Sequence, residues 1–421
     1  MVDTDLAAAP GDQAAPGDQA ARGTHPVRSW LTRWWVQVLA VFVASRIVSS
    51  ILLLIFASVQ GPNPWTGARP GFFQFASIWD GRWYQIVAGW GYPAQLPLDA
   101  AGNVAQNAWA FMPGYPWLVS AVMFLTRMPW EVASVVVSVG FGLGSALLLY
   151  RLFRLRLGHS TALFAVALFC FAPTSPLLQL AYAESMYLFL LILALYLLLQ
   201  RRYWTMLPAI AIMAFTRPSG LAFALAMGLH VVYRWVVRRR DPFPVRERVA
   251  SVVVTIFSAL AGLAWPAIAA AATGSLGAYT DTELTWRADY IGRVHLLPFA
   301  PWVQGADWWF SVFLGLPAWL GYLALALVIA IFAVCMFLPA VRALGVDLRL
   351  WVASYALYLL AVFFPQSSTF RLLMPMFPLL GALAIPKSRM YRTALIVLSI
   401  AGQVGWLLIC WGVDGADWSP P

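Results

Sequence analysis

Charge is what this 421-residue chain has least of: Asp, Glu, Lys and Arg together make up 10%, while 62% of residues are hydrophobic and the mean hydropathy is +0.75. A typical soluble domain is about 25% charged, so this balance excludes a soluble fold and leaves a polytopic membrane protein. Cysteine is scarce too. Cys170, Cys335 and Cys410 stand singly in apolar runs, which supports neither a disulfide framework nor a zinc site; buried, inert thiols are expected. Glycine-rich phosphate loops, paired CxxC and HExxH are all missing, so nucleotide hydrolysis and zinc proteolysis have no motif here. No basic stretch followed by a short apolar core occurs at the start, so no cleavable signal peptide is expected.

The charge that is present is mostly arginine: 27 basic against 17 acidic residues, a formal net charge of +10. Such an excess can mean nucleic acid, but on a chain this apolar it sets topology, because basic residues stay on the cytoplasmic side; no nucleic-acid partner is expected. Residues 1–27, with the tandem AAPGDQ AAPGDQ (Ala8 to Gln19), cannot bury enough surface to order themselves and form a tail. Arg22, Arg28 and Arg33 before the first apolar run place that tail in the cytoplasm. Arg46 interrupts the run. A charge at mid-bilayer costs at least about 2.5 kcal/mol, so it must face protein partners or snorkel.

Spans are expected at 34–58, 131–150, 160–178, 183–200, 203–217, 218–237, 249–272, 311–338, 349–365, 370–386 and 391–412, about eleven helices of spanning length in one domain over 28–413. The stretch Ala110 to Arg127 is read as an interfacial helix, because only about ten apolar residues follow Pro116 where roughly 20 are needed to cross. The basic flank RLFRLRLGH (Arg151 to His159) agrees: a crossing at 110–127 would put it outside. With this topology nineteen of the 27 basic residues fall on cytoplasmic flanks. The segment 414–421 is then an external tail.

Two long loops come to the external side, 60–130 and 273–310. The first contains SIWDGRWYQIVAGWGY (Ser77 to Tyr92), one acid, Asp80, among three tryptophans and two tyrosines, rings that favour a membrane interface. Asp is also a favoured helix cap, and Asp80 is placed to cap a helix from Gly81 to Gly89. A carboxylate there can equally take the proton of an acceptor hydroxyl as it attacks an anomeric carbon. Glu131 and Arg82 lie on the same side. Glu184 opens a helix, where the macrodipole welcomes an acid. Arg217 and Arg371 sit at helix starts, where a cation opposes the dipole; they call for an anion, either a phosphate or an internal partner such as Glu184 or Glu131. The mixed charges of Tyr279 to Trp309 (Asp281, Glu283, Arg287, Asp289, Arg293, His295, Asp307) read first as solvated loop charge and second as substrate contacts.

Five stretches taken in order, WDGRWYQIVAGWGYP (Trp79 to Pro93), AFMPGYPWLV (Ala110 to Val119), AYAESMYLFLLILALYLL (Ala181 to Leu198), FTRPSGL (Phe215 to Leu221) and FRLLMPMFPLL (Phe370 to Leu380), resemble the PIG-V type mannosyltransferases and their bacterial relatives, members of the GT-C glycosyltransferases. The resemblance covers roughly residues 34–386. It implies an all-α, GT-C-like enzyme of the bacterial plasma membrane with juxtamembrane helices in the first external loop. A polyprenyl-phosphate-mannose donor would be used on the extracytoplasmic face, with a glycan, glycolipid or protein as acceptor. By motif match it implies Asp80 as the base and Glu184 as the acid opening the helix after the third crossing, with Arg217 and Arg371 near the donor phosphate. Trp79, Arg82, Trp83, Tyr84, Tyr92, Tyr115 and His295 join Glu184 as candidate substrate contacts. Many relatives carry an Asp-x-Asp pair in that loop, whereas Asp80 stands alone before Gly81; no metal or other cofactor is expected. The rival reading is a lipid-linked sugar transporter without enzymatic activity, which would need polar residues at several mid-helix positions.

Overall fold

The computed structural model describes residues 32–412, so the expected tails at 1–27 and 414–421, with Arg22 and Arg28, lie outside the described residues. Among those described, the regular structure is helical, with a single isolated bridge between Leu98 and Val104. Among the described residues, six helices are long and apolar enough to cross a membrane: Trp34–Val59, Trp130–Arg154, Gly220–Val237, Val245–Thr273, Ala318–Cys335 and Arg389–Cys410. The first has 26 residues and rises about 39 Å at 1.5 Å per residue, more than the ~30 Å of a hydrocarbon core. Trp130–Arg154 carries Glu131 in its first turn and Arg151 and Arg154 in its last, the arrangement the helix dipole favours.

Six is fewer than the eleven expected, and the shortfall has physical causes. His159–Phe171, Glu184–Leu199, Tyr203–Ala214 and Val346–Val362 are apolar but run only 12 to 17 residues. The stretch expected as one span at 370–386 is broken into Thr369–Leu372, a 3-10 turn at Met374–Met376 and Pro378–Leu383. Pro375 and Pro378 lack the N–H that a continuous helix needs there and clash with the preceding turn. The span expected from 311 likewise starts late: Trp308–Phe313 winds as a π-helix, and regular helix resumes only at Ala318. Within 110–127 the helix is Gly114–Thr126, thirteen residues, below spanning length.

Glu184–Leu199 is the buried centre. Leu188, Leu191, Ile192, Ala194 and Leu195 are inaccessible, so this helix is apolar all round because protein, not lipid, surrounds it. Ala318–Cys335 is its opposite, burying only Gly321. Arg46 faces protein partners, as one of its two expected solutions required: its guanidinium donates to the carbonyls of Cys170 (2.8 Å), in the last turn of the helix His159–Phe171, and Ser175 (2.7 Å), just beyond it. Cys170 and Cys410 are buried, but Cys335 is partly exposed on the open helix, which corrects the expectation for that one thiol.

The crossing of Gly220–Val237 over Val245–Thr273 is built on two glycines. A Cβ on Gly262 would stand 2.8 Å from the Leu221 nitrogen and 2.9 Å from the Gly220 carbonyl carbon, closer than packed atoms approach. Small residues let membrane helices meet at backbone distance. Gly262→Val is therefore expected to push apart the junction that carries Arg217, lowering the apparent Tm in detergent by several degrees and raising any donor KM; a variant as stable and active as wild type would count against this role.

Candidate active site

The site begins with a strained turn. Trp79 has φ +58°, a left-handed conformation that a bulky residue adopts only when its surroundings enforce it. Three contacts do so. The Trp79 indole donates to the Cys410 carbonyl (3.0 Å), the Trp411 indole to the Phe75 carbonyl (2.9 Å), and the Ala181 N–H to the Ala76 carbonyl (2.9 Å). Gly81 completes the fit: a Cβ there would press on Ala181 at 3.2 Å. The turn launches the helix Asp80–Trp90, whose cap position belongs to Trp79. Asp80 is thus the first helical residue and its side chain does not cap, which corrects the capping alternative. Its N–H donates to the Tyr182 hydroxyl (3.2 Å), two residues before Glu184.

The side chain of Asp80 meets charges from far along the chain. Arg371 ion-pairs with its Oδ2, and Arg217 stands 3.9 Å from the same oxygen. Glu184 lies behind, 3.0 Å from Arg217 and 3.4 Å from Arg371. Among the described residues, the hydrogen bond that the Asp80 carboxylate accepts goes to Oδ2 and none reaches Oδ1. Two carboxylates and two guanidinium groups alternate in a neutral quartet whose side chains are 4% to 14% exposed. Pairing is what makes such burial tolerable, since an isolated ion there would cost several kcal/mol. The anion that the two arginines call for is thus supplied internally, by Asp80 and Glu184; Glu131 instead lies 3.8 Å from Arg82.

The quartet lines a cavity of about 810 Å³. Trp79 and Trp83 share its wall, and Trp83 stacks on Phe111 (5.4 Å between ring centres) with Trp286 edge-on to it (5.8 Å). Leu221, Leu263, Pro266, Leu359, Val362 and Phe363 add apolar surface to the lining. The cavity thus combines charged and apolar walls.

Five of the expected substrate contacts do not line it. Arg82 donates to the Trp65 carbonyl and to Gln85. Tyr84 is buried behind the wall, edge-on to Phe111 and Tyr115, and Tyr115 spends its hydroxyl on Ser134 and Ser138. Tyr92 donates to the Phe111 carbonyl and stacks on Trp109; it borders a smaller groove of about 330 Å³ beside the main cavity. His295 is exposed and lies off the lining. Tyr92 and Tyr115 support the wall because their hydroxyls find backbone or serine partners inside the bundle, and the Tyr84 hydroxyl meets Arg217 from behind, which a loop sequence does not announce.

The cavity also has residues that charge pattern alone did not single out. Tyr187, Tyr355, Tyr358, Tyr279 and Glu283 line it. Tyr279 and Glu283 belong to a short helix, Ala278–Leu284, inside the expected second loop, which is therefore not simply solvated. Their i, i+4 spacing was the available signal. Burial pushes the Glu283 carboxyl up to about 7, with the Tyr279 hydroxyl and the Arg217 charge pulling the other way. Glu283 lines the cavity and is half-buried.

The long apolar helices and this charge-lined cavity make the chain an all-α integral membrane protein. No family model and no curated protein matches the sequence. Among solved structures the chain is similar to the oligosaccharyltransferase of Archaeoglobus fulgidus, crystallised with a tethered acceptor peptide containing the NVT sequon, at 13% identity and a TM-score of 0.47. The match covers 92% of this chain and 56% of that one, so this chain spans little more than half of that protein's length.

Proposed function

We propose that the protein is an inverting GT-C-like glycosyltransferase, moving mannose from a polyprenyl-phosphate-mannose donor to a hydroxyl of a glycan, glycolipid or protein on the extracytoplasmic face, as the PIG-V resemblance implies. The observation that supports it is Asp80: a carboxylate with Oδ2 held by arginines and no hydrogen bond to Oδ1 among the described residues, in the wall of a cavity whose apolar lining suits a hydrocarbon chain. In the step, the acceptor O–H bond breaks and its proton passes to Oδ1 of Asp80. The acceptor oxygen bonds to the anomeric carbon from the side opposite the phosphate. The bond from that carbon to the phosphate oxygen breaks, and its electron pair leaves with the polyprenyl phosphate. Arg217 and Arg371 suit the charge that grows on that phosphate, guanidinium forks being matched to phosphate oxygens. One displacement inverts the configuration, and the scheme asks for no metal.

The test is the purified full chain in proteoliposomes, given polyprenyl-phosphomannose and a panel of acceptors, with the anomeric configuration of the product read by NMR. Product of inverted configuration is expected. Retention, or transfer from a nucleotide sugar only, overturns the reading, and headgroup translocation without product would favour the transporter instead.

A further inference from the structure

Glu283 is a carboxyl of the cavity wall that the step above does not use; of the other two such acids, Glu184 belongs to the quartet and Asp289 is exposed. It lies in the wall contributed by the second loop, on the helix Ala278–Leu284, whereas Asp80 and Glu184 enter from the first loop and the central helix. The two acids of the quartet are matched by two arginines. Glu283 forms no ion pair among the described residues, and its side-chain partner is the Tyr279 hydroxyl one turn earlier. Tyr358, anchored through its hydroxyl to the Pro218 carbonyl beside Arg217, faces it from the helix Val346–Val362. A carboxyl with unfilled acceptor capacity, flanked by tyrosines and opening onto the cavity, has the composition of a site for sugar hydroxyls, which need oriented acceptors against ring surfaces.

We infer that Glu283 is the acceptor-binding carboxyl of this cavity, accepting in its ionised form a hydrogen bond from a hydroxyl of the incoming acceptor and so turning that acceptor toward Asp80. This rests on the reading of the cavity as a glycosyl-transfer site. Its position explains why the task falls to Glu283 rather than Glu184: both Glu184 oxygens are buried behind the arginines, while Glu283 is reached without breaking an ion pair. The groups that bear on its ionisation are Tyr279 on its own helix, Arg217 and Arg371 (lowering), Asp80 (raising) and Tyr358 across the cavity. Burial dominates them, so the ionised form is gained only as pH rises through about 7. Acceptor binding should strengthen over the same interval.

The experiment compares wild type, Glu283→Gln and Glu283→Asp as full chains in proteoliposomes, with donor and acceptor KM measured from pH 5.5 to 8.5. Glutamine keeps the shape and removes the charge. The expected result is an acceptor KM raised roughly tenfold or more in Glu283→Gln, the loss of one hydrogen bond to a charged group, with the donor KM within about twofold of wild type by the same scale. The rise of kcat/KM for acceptor near pH 7 should vanish in Glu283→Gln and return in part in Glu283→Asp, which a purely structural residue would not produce. An unchanged acceptor KM in Glu283→Gln, in a wild type that transfers sugar, overturns the inference alone. A wild type that transfers nothing from any polyprenyl-phosphate sugar overturns the glycosyl-transfer reading and the acceptor role together. Infrared titration separates the ionisation from activity: the carboxylic-acid band lost on raising the pH through 7 should be absent from Glu283→Gln, and its persistence there overturns the ionisation assigned to Glu283.

Discussion

Asp80→Asn is expected to lower sugar transfer by roughly 10²- to 10⁴-fold, the contribution of a positioned general base. The loss should fall on kcat more than on donor KM, because the amide keeps the shape at the cavity wall while removing the proton acceptor. The substitution also changes the quartet from neutral to one net positive charge, since Arg371 and Arg217 then share Glu184 alone. That surplus favours an anionic donor, so the donor KM should hold or fall as turnover collapses. This split distinguishes the base from a purely structural acid, whose removal would lower stability and raise KM. Wild-type turnover in folded Asp80→Asn would dismiss Asp80 as the base.

Arg217→Ala has the second large effect and acts through two routes. It leaves Asp80 and Glu184 with only Arg371 between them, and breaking a buried pair by removing one partner costs about 3–5 kcal/mol. A marked fall in Tm is expected before any assay is run. It also removes one of the two forks suited to the donor phosphate, so the surviving folded protein should show a donor KM raised tenfold or more, a charge-assisted contact being worth about 1.5–3 kcal/mol. Arg217→Lys separates the routes: a point charge preserves much of the ion pairing but not the planar two-point contact. Stability near wild type with weakened donor binding is expected of Arg217→Lys. An unchanged donor KM in both variants would remove the phosphate role and leave Arg217 as a structural counter-ion.

Much of this site was legible because ionisable residues in an apolar chain are conspicuous. Asp80, Glu184, Arg217 and Arg371 stand out by rarity, and the structure brings them to one cavity. What hid was anything that depended on side-chain direction. Tyr84 and Trp83 are adjacent in sequence, yet one faces the interior and the other the cavity, because neighbours on a helix point about 100° apart. Glu283 was masked by company: in a loop with Asp281, Arg287, Asp289, Arg293, His295 and Asp307, nothing in its own letter separates it from Asp289, which is exposed. The fold was legible as all-helical and apolar, but the count of spans was not. Hydropathy registers Phe370 to Leu383 as one run, whereas Pro375 and Pro378 decide that it is three pieces. Glu184–Leu199 shows the reverse ambiguity, a largely apolar sixteen-residue helix enclosed by other helices.

The indole of Trp79 and the carbonyl of Cys410 are 331 residues apart, and Trp411 reaches back to Phe75 across a similar interval. The turn that aims Asp80 is therefore finished only when the helix Arg389–Cys410 has been inserted and folded back against the first loop. During synthesis the aspartate is made long before it is oriented. A nascent chain carries an unlocked Asp80 through more than three hundred further residues, and the mature geometry becomes a report that this distant helix has arrived.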